Sequence, residues 1–145
     1  MFKKFEFYFY CSLGPAYKLS LKNGKWFYKT ENDIYPTDLL VDMRPVLSAV
    51  NNNEIISYIN SYPAEIEPSQ QRLKRLYRYL KQYCKHWKKD YTIKDVDDGY
   101  MWSCNIEGTD FKLKSKGHLD RPGNFGRFLY KLTIFTEGKY FGDAY

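Results

Sequence analysis

A chain of 145 residues with 43% hydrophobic residues and 19% aromatics has material for one core but not two, which excludes intrinsic disorder and points to a single domain over residues 1–145. Its net charge of +6 and pI near 9.1 favour acidic partners without saying which. Three cysteines in no regular spacing form no disulfide framework, and no segment approaches the ~18 unbroken apolar residues of a membrane span, so a reducing cytoplasmic setting without a membrane partner is expected.

The first element is "FKKFEFYFY", with Phe5, Phe7 and Phe9 on one face of a strand and Glu6, Tyr8 and Tyr10 on the other. Glu6 interrupts the run and no small residues precede Cys11, so a strand is expected here rather than a secretory leader, despite Lys3 and Lys4 before it. In "LSLKNGKWFY", Asn23 and Gly24 stand between two strand-like runs; a type I′ hairpin turn needs positive φ at both positions, and these residues provide it. From Asp33 to Ala64 the pattern is broken by Pro36, Pro45 and Pro63. Asn53 is a cap candidate for a short helix over "EIISYIN", and "TDLLVDM" reads equally as helix or strand.

A long helix is expected from Pro68 to Lys89, with Glu65 and Glu67 before its positive end. Leu73, Leu76, Tyr77, Leu80, Cys84 and Trp87 recur at helical spacing and form its core stripe. The rest of its surface is cationic. Eight lysines and arginines lie between Arg72 and Lys89 with no carboxylate among them. A continuous helix would carry seven like-charge neighbour pairs, about 1.5–3.5 kcal/mol of repulsion before salt screening.

Two readings account for this row. Acids from elsewhere, with Asp90, Asp95, Asp97 and Asp98 as candidates, fold back over it, and the cations at its end favour the helix dipole. Alternatively Arg75, Arg78, Lys81, Lys85 and Lys89 face an acidic protein or a nucleic acid, with Tyr79, Tyr83 and His86 as stacking surfaces.

The stretch "DDGYMWSCNIEGTDFKLKSKG" reads as a second hairpin. Tyr100, Trp102, Cys104 and Ile106 alternate toward the core, "EGTD" turns, and Phe111 and Leu113 return to the same side. Lys112, Lys114 and Lys116 share the opposite face, either as solvated residues guarding a sheet edge or as an extension of the cationic surface. In "GHLDRPGNFGRFLYKLTIF", Asp120 is the expected N-cap of a helix over 122–135. His118, Arg121, Asn124 and Arg127 lie around its start, where free amides attract anions.

Asp98, Gly99 and Trp102 in "DGYMW", then Gly117, Pro122, Asn124 and Phe125 in "GHLDRPGNF", resemble a pattern of small uncharacterised bacterial proteins in which a "DG-x-x-W" strand leads to "G-S-N-A-Y-P-x-N-F" and a closing helix. The likeness covers residues 87–135 and departs from the pattern at Leu119 and Arg121. It implies an α+β domain of helices on antiparallel strands and no activity.

The two histidines and three cysteines offer no zinc-ligand spacing, and no nucleotide-binding or nucleophile motif is present, so no cofactor is expected. One enzyme reading stands as the alternative. Asp98, with Asp110 and Lys112 as "D-x-K", has the residue types of a magnesium-dependent nucleic-acid hydrolase, two carboxylates for the ion and a lysine for the developing charge.

The expected molecule is therefore α+β, with two antiparallel hairpins in one sheet and two main helices packed on one face. Its expected role is non-enzymatic: a cationic helix, assisted by Lys112, Lys114, Lys116, Arg121 and Arg127, docks an acidic protein, such as an effector or nuclease that it inhibits, or a nucleic acid.

Overall fold

The computed structural model describes residues 1–11, 15–32, 64–96 and 98–142; the readings made on 33–63, and Asp97, lie outside them. The fold is α+β, with seven strands in one sheet and two helices among the described residues. The strands are β1 (Phe2–Cys11), β2 (Pro15–Lys22), β3 (Lys25–Asn32), β4 (Ala64–Ile66), β5 (Asp90–Thr92), β6 (Tyr100–Gly108) and β7 (Lys112–His118). The helices are α1 (Gln70–Tyr83) and α2 (Phe125–Phe135). The sheet order is β4-β3-β2-β1-β6-β7-β5, antiparallel except where β5 runs parallel to β7.

β1 is the centre of the sheet because its alternation suits both neighbours. Phe5, Phe7 and Phe9 stand opposite Leu21, Leu19 and Tyr17 of β2 and opposite Ile106, Cys104 and Trp102 of β6, so one register puts these side chains together on one face. The β2–β3 turn has φ 52° at Asn23 and 76° at Gly24, as a type I′ turn requires. The sheet is larger than the two expected hairpins. The three-residue strands β4 and β5 pair at its edges, and such short stretches have no periodicity to read.

Aromatic rings of both helices meet rings of the sheet and its turns. Phe125 and Phe128 of α2 meet Phe7 at ring distances of 6.2 and 5.1 Å, and Phe135 meets Trp26 at 4.8 Å. Tyr77 of α1 meets Phe2 at 5.1 Å and Phe111 at 5.0 Å. The helices run side by side in opposite directions: Arg72 near the start of α1 pairs with Glu137 past the end of α2, while Asn124 at the start of α2 donates to the Tyr83 carbonyl at 2.9 Å.

The α1 boundaries differ from the expected 68–89. Ser69 is the N-cap, its hydroxyl accepting from the Arg72 amide at 3.2 Å, which leaves Pro68 outside. The helix ends at Tyr83 with Cys84 as C-cap, because the chain must turn there to reach β5 beside β7. Trp87 keeps its place in the apolar stripe from outside the helix: its ring lies 5.7 Å from Trp102 and 5.1 Å from Phe128, and its indole donates to Asn124 Oδ1 at 2.8 Å. With Lys85, Lys88 and Lys89 outside, four of the seven repulsive pairs remain inside the helix, about 0.8–2 kcal/mol. α2 also starts later than expected. Asn124 occupies the N-cap position, and the Asp120 carboxylate instead accepts from the Arg121 amide at 2.9 Å.

Two of the three thiols lie in this core. Cys84 and Cys104 are buried, whereas Cys11 is partly exposed. Burial pushes the Cys84 thiol up to about 12 and Cys104 well above the ordinary thiol range, which withholds the reactive thiolate. At pH 8 a thiol reagent should modify only Cys11 in the native protein and all three cysteines in denaturant. Rapid native labelling of Cys84 or Cys104 would contradict this packing.

Candidate binding surface

The cations of α1 divide by partner. Arg72 is paired with Glu137, and Lys81 with Asp110 in the β6–β7 turn. These are not the acids expected to fold back: Asp90 turns its carboxylate to the Thr92 amide at 2.8 Å, and Asp95 and Asp98 form no ion pair with α1. Lys74, Arg75, Arg78 and Lys85 are exposed, and among the described residues none has a carboxylate partner. Lys74 and Arg78 lie four residues apart on one arc of α1, and Lys85 follows just past its end.

The Asp110 site ties α1 to the hairpin. Its carboxylate accepts from Lys81 and from the Tyr77 hydroxyl, and these bonds, that of Lys81 first, hold it below its ordinary value of 3.8. The same bond raises Lys81. A depressed carboxyl stabilises the fold above its unfolded pKa and loses that contribution as pH falls through the folded value. The stability gap between the wild type and Asp110→Asn, read from urea midpoints, should therefore narrow between pH 5 and pH 2. A gap constant with pH would show that the ion pair contributes nothing.

Tyr79 does not serve as a stacking surface. It is 8% exposed, with its ring 5.2 Å from Tyr83 and the Lys131 ammonium 5.5 Å above it. Burial raises its hydroxyl to about 12, Arg127 and Asn124 acting in the opposite direction. A helical wheel of α1 alone puts Tyr79 outside the apolar stripe; α2, lying alongside, covers that flank as well. His86 is exposed in the turn after α1.

The remaining predicted residues lie elsewhere. Lys112, Lys114 and Lys116 alternate with the core residues Leu113 and Ser115, which turns them to the sheet face away from the helices. Lys89 joins them, lining with Lys114, Lys116, Glu6, Asp90 and Asn105 a groove of about 530 Å³. Lys112 pairs with Glu107 at 3.5 Å. Arg121 donates to the Tyr100 hydroxyl at 3.0 Å and lies over its ring, while Arg127 is exposed on α2. The expected cluster at the α2 start is thus dispersed, with His118 directed to the Asp98 carbonyl at 3.1 Å and Asn124 held between Trp87 and Tyr83.

The three residues of the hydrolase reading do not converge. Asp98 precedes β6 and Asp110 follows it, so the nine residues of β6 separate them by about 30 Å. Asp110 points to α1 while Lys112 points to the opposite sheet face. No group of three or more His, Cys, Asp or Glu among the described residues is placed to hold a metal ion.

No protein-family model, curated protein or solved structure matches the chain. The residues of the "DG-x-x-W" likeness have structural tasks here. The Trp102 indole donates to the Asp120 carbonyl at 2.9 Å, and both cross Gly117 so closely that a Cβ there would meet them at 2.3 and 2.5 Å.

The helix layer also exposes apolar side chains that the cation pattern did not single out. Tyr83 is 54% exposed, and Tyr130 and Ile134 of α2 are 63% and 47% exposed. The signal was present in the sequence: Tyr130 and Ile134 are four residues apart, opposite the Phe128–Leu132 face of α2. No helix among the described residues is long and apolar enough to cross a membrane.

Proposed function

We propose that this chain is a protein-binding module that docks an acidic protein on the outer surface of its two-helix layer, without catalysis. The observation that carries the reading is the exposed set of Lys74, Arg75, Arg78 and Lys85, which have no carboxylate partner among the described residues while their neighbours Arg72 and Lys81 do. Such cations steer an acidic surface into contact and fix its orientation more than they supply affinity. Affinity needs desolvated anchors, and Tyr83, Tyr130 and Ile134 on the same layer are of the type that provides them.

These apolar groups favour a protein over a nucleic acid. A single strand calls for a run of stacking platforms between its phosphate contacts; of the three expected, Tyr83 and His86 are exposed but Tyr79 is buried, and the lysines of β7 face the other side of the sheet. The test is titration with poly-L-glutamate and with an oligothymidylate of equal charge over a range of salt. Preferential binding of the glutamate polymer is expected. Tighter oligonucleotide binding, with a log–log salt slope matching several released counterions, would overturn the protein reading.

A further inference from the structure

The edge of β7 away from β6 is covered by β5 only at Lys116–His118 among the described residues. The Gly108 amide donates to the Phe111 carbonyl at 2.8 Å, which fixes the alternation of the hairpin. Leu113 and Ser115 turn their backbone groups to Ile106 and Cys104 of β6, and Lys112, Lys114 and Lys116 turn theirs outward. β5 pairs only with Lys116–His118, and the Lys116 amide donates to the Lys89 carbonyl at 3.1 Å. At Lys112 and Lys114 the outward N–H and C=O groups have no partner among the described residues. An open strand edge of this kind is a template for a further strand.

Cations stand on the outer side of that edge. Lys114 and the Glu107-paired Lys112 stand on the outer sheet face. On the other face, α1 lies over the same hairpin, fastened by Tyr77 against Phe111 and by Lys81 to Asp110, while just beyond it the Ser115 hydroxyl donates to the Lys88 carbonyl at 2.5 Å.

We infer that the β7 edge at Lys112–Ser115 accepts an extended acidic segment of the partner protein as an added strand. Its backbone takes the outward groups of Lys112 and Lys114, and its alternate carboxylates, all on one face of the added strand, meet the lysines of the outer sheet face. This rests on the proposed acidic protein partner and names how one segment of it is held. A second copy of the chain fits poorly, since β7 against β7 sets lysine rows opposite one another.

The test uses a nine-residue peptide alternating glutamate and valine, the same peptide N-methylated at alternate residues, and a lysine-for-glutamate version. The glutamate peptide should slow hydrogen exchange at the Lys112 and Lys114 amides. N-methylation should weaken binding about tenfold or more, the loss of one or two backbone hydrogen bonds, and the lysine peptide should not bind. Lys114→Pro, which removes an outward N–H without touching the β6 ladder, should lose the peptide while Lys114→Arg keeps it. Equal binding of the N-methylated peptide, or unchanged Lys112 and Lys114 amides in the complex, would overturn the added strand. If charge reversal on α1 still abolished binding in that case, the docking reading would survive. If neither change mattered, both would fall.

Discussion

Replacing Phe125 with alanine should lower the unfolding free energy by about 3–5 kcal/mol, the usual cost of removing a buried aromatic ring. Phe125 is fully buried and is the first residue of α2. Its ring lies within 6.3 Å of those of Phe7, Phe9, Trp87, Trp102 and Phe128, with Trp102 nearest at 4.8 Å. It thus joins β1, β6, the turn after α1 and α2. The loss comprises the burial of the ring, the cavity that rigid neighbours cannot fill, and pair geometry worth about 0.5–1.5 kcal/mol per aromatic contact beyond area. Phe111, half-buried beside Tyr77 at the end of the hairpin, should cost less when truncated. Equilibrium urea unfolding measures both. A loss below about 1 kcal/mol at Phe125 would be too small for a packed five-ring contact and would mean that α2 is not seated on the sheet.

The second large effect concerns binding. Reversing Lys74, Arg78 and Lys85 together to glutamate should weaken poly-L-glutamate binding about tenfold or more. Each exposed ion pair is worth ~0.2–1 kcal/mol, and reversal replaces three attractions with repulsions of similar size, about 1–6 kcal/mol in all. The control changes net charge equally at exposed sites off the helix layer: Lys3, Lys22 and Lys94 to glutamate. General attraction between a basic protein and a polyanion predicts equal losses in the two variants; a docking surface predicts a loss concentrated in the first. The α1 variant should also fold at least as well as the wild type, because two of the four repulsive pairs within α1 involve Arg78 and a remaining cation, and these become attractive.

The sequence was legible where one period governed a segment. Phe5, Phe7 and Phe9 were readable because β1 is half-buried throughout, and the Asn23–Gly24 turn because only positive φ suits it. Legibility failed where a neighbour distant in sequence decides the outcome. The flank of α1 at Tyr79 is buried by α2, which follows some forty residues later. The end of α1 at Tyr83 is set by the need to pass Trp87 into the core and Lys89 to the edge of β7, yet Trp87 sits at helical spacing and conceals the break. The acids that neutralise Arg72 and Lys81 come from Glu137 and Asp110, whereas sequence proximity pointed to residues 90–98. The Asp98–Asp110–Lys112 combination had the right residue types for metal chemistry, but position along the hairpin decides convergence, and β6 holds the two carboxylates at its opposite ends.

Lysine acetylation footprinting with and without poly-L-glutamate tests most directly whether the cations on and just after α1 that have no carboxylate partner among the described residues form the docking surface. The account predicts strong protection of Lys74 and Lys85, with Lys3, Lys22 and Lys94 reacting as before. Protection spread evenly over all exposed lysines, or confined to those outside the helix layer, would contradict it.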